Sequence, residues 1–264
     1  MNNKLTLLIT WTIQPNNDLK HKSTVLVDDN YFNPEVREKD YLWTILFYIT
    51  RSNFEKFVFC ENSWYEIKEW DLIEKIAKKF WKQVELLQYV WNKEDIIKYS
   101  YHYWEAEILD YAYENSKLLK QTNNFFKVTW RYIIYNINDL ITQYENKKFF
   151  FYKWFWLNST LCVNTAFFMC SKEFYKENLY KKQKEYYAKN YKIGNKFIPL
   201  EWVFYNLLKE KLFKEKLPIS CFPIYHFFIK KNIYIENIKN KLWLLWYWKV
   251  WRFIDIFFKL VRKG

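Results

Sequence analysis

An α/β fold built on a largely parallel sheet is what this sequence predicts, and three observations lead there. Apolar strand-like runs alternate with helical patterns over the first two thirds of the chain. The runs KLTLLIT, KFVFCENS and FFKVTWRY are too apolar to leave one face in water, as befits strands covered by helices on both sides. The 264 residues suffice for one large core, or one core with a small appendage, and no Gly/Ser linker or internal repeat divides them.

The elements follow in order. KLTLLIT is the first strand, and the turn-rich QPNNDLKHKS loop follows it. Residues 37–51 place apolar side chains at helical spacing behind a charged start. KFVFCENS is a second strand with a polar tip, WDLIEKIAKKFWK an amphipathic helix, and VELLQYV a third strand. EAEILDYAYENSKLLK reads as one helix with its acids early, FFKVTWRYIIYNI as strand, turn and helix start, and FFFYKWFW as a further strand. Beyond Tyr175 the pattern is helical and lysine-rich, with PLEWVFYNLLKEKL the clearest helix. The expected division is an α/β domain over 1–215 and a basic aromatic tail over 216–264. KLWLLWYWKVWRFIDIFFKLVRKG in that tail reads either as an interfacial helix on anionic lipid or as a helix packed on the domain.

Composition narrows the function classes. No run of about 20 uncharged apolar residues exists, so no membrane-spanning helix is predicted, and MNNKLTLLIT is expected to be a buried first strand, its apolar stretch being short for a secretory signal. A cytoplasmic protein is expected, and the lipid-facing reading of the tail would add peripheral attachment to the inner face of the plasma membrane. The four cysteines form no CxxC pair and no metal-ligand spacing with His21, His102 or His226. The formal charge of +13 favours phosphates or acidic lipid, but the excess of Lys, Asn, Ile, Tyr and Phe reflects A/T-rich codons as well. Specific nucleic-acid binding is not expected.

Two glycines stand against fifteen tryptophans. Average usage of roughly 7% predicts about 18 glycines in this length, close to the two counts together. Trp11, Trp64, Trp91 and Trp130 occupy strand ends and turns, where a small residue with freedom at φ > 0 is favoured. An indole there is expected to be bulky and to find few apolar partners. Most of the tryptophans are therefore expected to be glycine in the living protein, from a UGA codon read as glycine. The alternative is a truly tryptophan-rich chain, and the codons at Trp11, Trp104 and Trp130 decide.

Polar residues cluster at the predicted strand tips, where open α/β sheets bind their ligands. Thr10-Trp11-Thr12 ends the first strand, and Glu61 and Asn62 end the second. These last two suit ribose hydroxyls or a base edge, or equally an Asx-type turn or cap. Tyr103-Trp104-Glu105-Ala106-Glu107 opens a helix that also carries Asp110 and Lys117; acids there also suit the macrodipole. Lys127, Thr129 and Arg131 share one side of their strand. Lys117, Lys127 and Arg131 are candidates to hold a diphosphate, Arg131 through a bidentate fork, unless it pairs with Asp139.

With glycine restored, the strings LLITGTIQP, FCENSGYE, YGEAEILDYAYENSKLLK and FFKVTGRYIIYNI resemble a family of bacterial glycosyltransferases of capsule and O-antigen biosynthesis. The resemblance covers roughly the first 170 residues and thins toward the C-terminus. It implies a single GT-A-like, Rossmann-related domain with a mostly parallel central sheet and a helical C-terminal part. It implies transfer of a sugar from a nucleotide-diphosphate donor to a surface polysaccharide or lipid-linked acceptor. The D-x-D metal motif usual in such folds is absent, so no metal ligand and no required cofactor is expected; transfer is expected to be metal-independent or weakly metal-dependent, with basic residues offsetting the diphosphate charge. For the base that deprotonates the acceptor hydroxyl, Glu105 and Glu201 are the candidates, with Asp28 and Asp29 as alternatives, and Asn164-Thr165 as lining for the acceptor side. Two other classes stay open: a non-catalytic nucleotide or carbohydrate binder of the same fold, and a basic nucleic-acid binder stacking bases on aromatics.

Overall fold

A computed structural model of the chain describes residues 5–14, 33–99, 103–129, 132–155, 161–190, 198–212 and 225–227. Strand β1 (Thr6–Trp11) is buried throughout. Helix α1 (Pro34–Arg51) starts where Asn33 Oδ1 accepts from the Glu35 N–H and proline fills the first turn. Strand β2 (Lys56–Glu61), helix α2 (Trp70–Lys79) and edge strand β3 (Gln83–Gln88) follow as their patterns predict. After the short helix α3 (Lys93–Tyr99) comes α4 (Tyr103–Asn115).

The continuous helix expected over EAEILDYAYENSKLLK breaks at Ser116, and the four-residue helix α5 (Lys117–Lys120) begins there. Ser116 Oγ accepts from the Leu119 N–H and donates to Glu85 of β3. The same carboxylate accepts from the Lys117 and Leu118 N–H groups. A carboxylate reaching across from another strand thus supplies the new helix start with acceptors, which local periodicity cannot foresee.

Strand β4 (Asn124–Thr129), helix α6 (Ile137–Tyr144) and strand β6 (Phe149–Phe155) complete the expected series, whereas Tyr132–Ile134, expected to begin the helix, forms a short strand β5 instead. Strand β7 (Leu161–Ser171), the longest, was not expected, because Asn164 and Thr165 interrupt its apolar run. Helices α7 (Lys172–Asn178), α8 (Lys182–Asn190) and α9 (Leu200–Leu212) form the lysine-rich part, and a short strand β8 (Tyr225–Phe227) pairs antiparallel with β5. That pair joins residues on either side of the expected boundary at 215. The remainder of the 216–264 tail lies outside the described residues, as do Asp28, Asp29, His21, His102, Trp130 and Arg131.

The main sheet runs β3-β2-β1-β4-β7-β6. Strands β1 to β4 are parallel, whereas β7 runs antiparallel to both β4 and β6. One face carries Leu8, Val58, Phe125 and Phe168 under α4, α8 and α9. The other carries Leu7, Ile9, Phe57 and Phe126 under α1, α2 and α6. Helices on both faces explain why the central strands lack polar alternation. Among the described residues no helix is long and apolar enough to cross a membrane.

The tryptophans fall into different settings. Trp64 (φ 55°) and Trp81 (φ 58°) sit in the left-handed region, 63% and 93% exposed. A bulky L-residue pays roughly 1–2 kcal/mol for that conformation, and glycine does not. In a chain made with tryptophan at both positions, Trp64→Gly and Trp81→Gly are each expected to raise stability by about 1 kcal/mol. Urea denaturation reads the gain, and a loss at both positions would contradict it. Trp11 corrects the expectation of few apolar partners: it is fully buried against Tyr41 and Phe59. Its indole N–H nonetheless has no hydrogen-bond partner.

Candidate active site

The chain lays β2 and β3 on one side of β1 and then returns to place β4 on the other. Strand order therefore reverses between β1 and β4, and beyond the carboxyl ends of such a pair is where open α/β sheets place their ligand crevice. Thr10 and Thr129 are register partners at that point. Helix α4 approaches it from the face that carries Leu8 and Phe125, bringing Glu105 in its first turn.

Four elements meet around Lys127. Its Nζ is fully buried and donates to Glu105 Oε1 at 2.6 Å, to the Thr165 carbonyl at 2.5 Å and to Thr129 Oγ1. Thr129 Oγ1 in turn donates to Glu105 Oε1 at 3.0 Å. Thr165 Oγ1 donates to Glu201 Oε1 at 3.2 Å, tying β7 to the first turn of α9. Lys127, Thr129, Glu105, Thr165 and Glu201, each singled out from sequence, thus form one connected group. The role expected for Lys127 needs correction, however. An ammonium has three N–H donors, and all three are used inside the protein, so none is left for a diphosphate.

Electrostatics follow from burial. Desolvation pushes Lys127 below the usual lysine range, while the Glu105 and Glu201 carboxylates pull it back. Burial raises Glu201 above the usual carboxylate range, and the neighbouring Glu105 charge adds to that shift. The Glu105 side chain remains 14% exposed. Its Oε1 is occupied, and among the described residues no hydrogen bond reaches Oε2.

The tips of β1 and β2 are organised differently. Glu61 Oε1 accepts from the Ile13 N–H and Ser63 Oγ, and its Oε2 from the Ser63 and Tyr65 N–H groups. A carboxylate has about four lone-pair sites, so the expectation that Glu61 binds ribose gives way to an internal one: it fastens the two loops together. Burial still raises its pKa, against those bonds. Thr12 Oγ1 donates to Asn62 Oδ1 at 2.5 Å. The Thr12 carbonyl accepts from Arg37 Nε and from the Tyr41 hydroxyl, both on α1. Arg37 escaped notice, although Arg37 and Tyr41 stand one helical turn apart on a buried stripe.

Several buried polar atoms here lack partners. Among the described residues, Thr10 Oγ1, Trp11 Nε1, Asn62 Nδ2 and the Tyr89 hydroxyl make no hydrogen bond. Asn62 and Tyr89 are close enough to influence each other without reaching hydrogen-bond geometry. Unsatisfied buried polar atoms are rare in folded proteins. Grouped at strand tips, they are the kind of donors and acceptors a polar ligand would use. Tyr89 was also missed, since a tyrosine in an apolar strand gives no signal of its own.

Other candidates lie elsewhere. Lys117 opens α5, the short helix that leads into the amino end of β4, and its N–H is held by Glu85. It is not part of the Lys127 group. Asn164 Oδ1 accepts from the Ala166 N–H, a local turn contact within β7. Among the described residues no three His, Cys, Asp or Glu side chains are grouped to hold a metal ion.

No protein-family model and no curated protein matches the chain. Solved structures do resemble it. The apo form of the glycosyltransferase GlyE of Streptococcus pneumoniae aligns at a TM-score of 0.50 and 9% identity, over 86% of this chain and 55% of that one. The mannosyltransferase Ktr4p of S. cerevisiae aligns at a TM-score of 0.40 and 12% identity, over 70% and 60%. Core-mannan synthase A of Aspergillus fumigatus, in a Mn/GDP form, aligns at 0.37 and 9%, over 70% and 63%. The chain spans less than two thirds of each of these proteins. At such identity the likeness is one of fold, and the fold is the GT-A-like α/β arrangement of glycosyltransferases.

Proposed function

We propose that this chain is a glycosyltransferase that moves a sugar from a nucleotide-diphosphate donor to a hydroxyl of a surface polysaccharide or lipid-linked acceptor. The observation that carries this reading is Glu105: a carboxylate with one oxygen bonded and, among the described residues, one unbonded, at the switch in strand order between β1 and β4. In the proposed step the acceptor O–H breaks and its proton passes to Glu105 Oε2. The acceptor oxygen bonds the sugar's anomeric carbon, and the bond from that carbon to the diphosphate breaks. The nucleoside diphosphate leaves with the electron pair.

The unpartnered atoms of Thr10, Asn62 and Tyr89 support a polar donor at the tips of β1 to β3. Arg131, two residues past Thr129 in sequence, is assigned to the diphosphate by its bidentate chemistry. Transfer then proceeds without a divalent metal, in a domain over 1–215, with the basic tail resting on the anionic inner membrane surface. Recoding belongs to the same reading. The left-handed Trp64 and Trp81 each suit glycine better than tryptophan.

The test is direct. Low concentrations of UDP or GDP are expected to raise the melting temperature, and nucleotide is expected to be released from the matching sugar donor. Stabilisation without release, whatever acceptor is supplied, would leave a binding protein of the same fold instead. Chelator is expected to leave release unchanged; complete loss rescued by manganese would remove the metal-free mechanism.

A further inference from the structure

We infer that Lys127 is a positioning residue: a permanently internal cation that holds Glu105 Oε1 against Thr129 and so turns Oε2 toward the acceptor hydroxyl. The inference rests on the glycosyl-transfer reading above and gives this lysine a different task from the phosphate contact its strand position implies.

The geometry is specific. Lys127 lies mid-sheet on the face covered by α4 and α9, and its buried head has Glu105 on one side and the Thr165 carbonyl on the other. The ammonium lies 5.9 Å from the Phe168 ring, which closes another side of its surroundings. Thr129, one turn of the pleat further along β4, adds a second donor to the same carboxylate oxygen. Two donors fixed on one strand leave the Glu105 carboxylate little freedom to rotate. They also keep Oε1 from competing with Oε2 for the incoming proton. The Thr165 contact extends the hold to Glu201, so α9 is seated by the same group. Preorganisation of this kind affects turnover, because the base must be within hydrogen-bond reach of its proton when the bond breaks.

The test uses the full chain, with UDP- and GDP-hexoses as donors and nucleotide release as the readout. Lys127→Met keeps the stem and removes the charge. It is expected to lower kcat about tenfold or more, while donor KM and the affinity for UDP or GDP stay within about threefold. The opposite split, weakened UDP or GDP binding with kcat retained, would overturn the inference and restore the phosphate contact. Should Lys127→Met not fold, Thr129→Val tests the second donor with the shape preserved; a drop in kcat recovered by Thr129→Ser is expected. No drop would overturn it. In a Glu105→Gln background both changes are expected to have almost no further effect on kcat, and multiplicative losses would contradict action through Glu105. Absence of UDP and GDP binding by the unmodified protein would remove the glycosyl-transfer reading instead. The hold on Glu105 is then judged by urea midpoints alone, where additive Lys127→Met and Glu105→Gln shifts would disprove it.

Discussion

Glu105→Gln is expected to slow nucleotide release from the sugar donor by between about 10² and 10⁴-fold, the usual worth of a positioned general base. Nucleotide affinity is expected to stay nearly unchanged, because the proposed role of Glu105 is toward the acceptor hydroxyl and not the nucleotide. Glutamine keeps an oxygen for Lys127 and Thr129 to bond, but it cannot take a proton from an acceptor hydroxyl at neutral pH. The change also removes a counter-ion from a fully buried lysine, which typically costs roughly 3 kcal/mol or more. Assays therefore belong well below the variant's melting temperature, with circular dichroism to confirm the fold. Glu201→Gln separates the two carboxylates. Glu201 is raised by burial and by its neighbour, so its neutralisation is expected to affect stability more than turnover. Turnover that survives Glu105→Gln but not Glu201→Gln would transfer the catalytic role to α9.

The second large effect concerns pH. Asp110 of α4 accepts from the Tyr175 hydroxyl, the Lys181 N–H and Gln183 Nε2, yet burial pushes its carboxyl from 3.8 up to about 7. The nearby Glu114 carboxylate adds to the rise, while the hydrogen bonds and Lys181 oppose it. The folded state thus holds a proton that the unfolded chain releases between pH about 4 and about 7. Stability contributed by that proton is present at the acid end and lost as pH rises to about 7. The loss over that window is about 4 kcal/mol at most, at 1.36 kcal/mol per pH unit. Glu61, Glu107 and Glu201 are raised by burial as well, so they bend the curve the same way. Asp110→Asn isolates its share: the fall in urea midpoint between pH 5 and pH 8 is expected to become much shallower. A midpoint that rises with pH in the unmodified protein would contradict this account.

Much of the architecture was legible in the chain. The strands β1 to β4 and β6, and the helices α1, α2, α4 and α9, follow from apolar periodicity, polar tips and helix-start residues, because those signals report burial and local hydrogen bonding. Strand β7 and the break at Ser116 were not legible. The first is interrupted by Asn164 and Thr165; Thr165 makes sense only beside Lys127 and Glu201, and Asn164 bonds the Ala166 N–H within the strand. The second depends on Glu85, which reaches the helix start from another strand.

The residues of the candidate site divide in the same way. Sequence alone determined that polar and charged side chains gather at strand tips, and it picked out Glu105, Lys127, Thr129 and Glu201 from their placement and from a family resemblance. Only the tertiary structure decided which of their atoms are already bonded. Glu61 and Lys127 look like ligand-binding groups in one dimension, and in three they are occupied by Ile13, Ser63 and Tyr65 and by Glu105, Thr129 and Thr165. The physical reason is that burial can be inferred from a residue's neighbours in sequence, whereas hydrogen-bond capacity is used up by partners brought together from distant strands and helices.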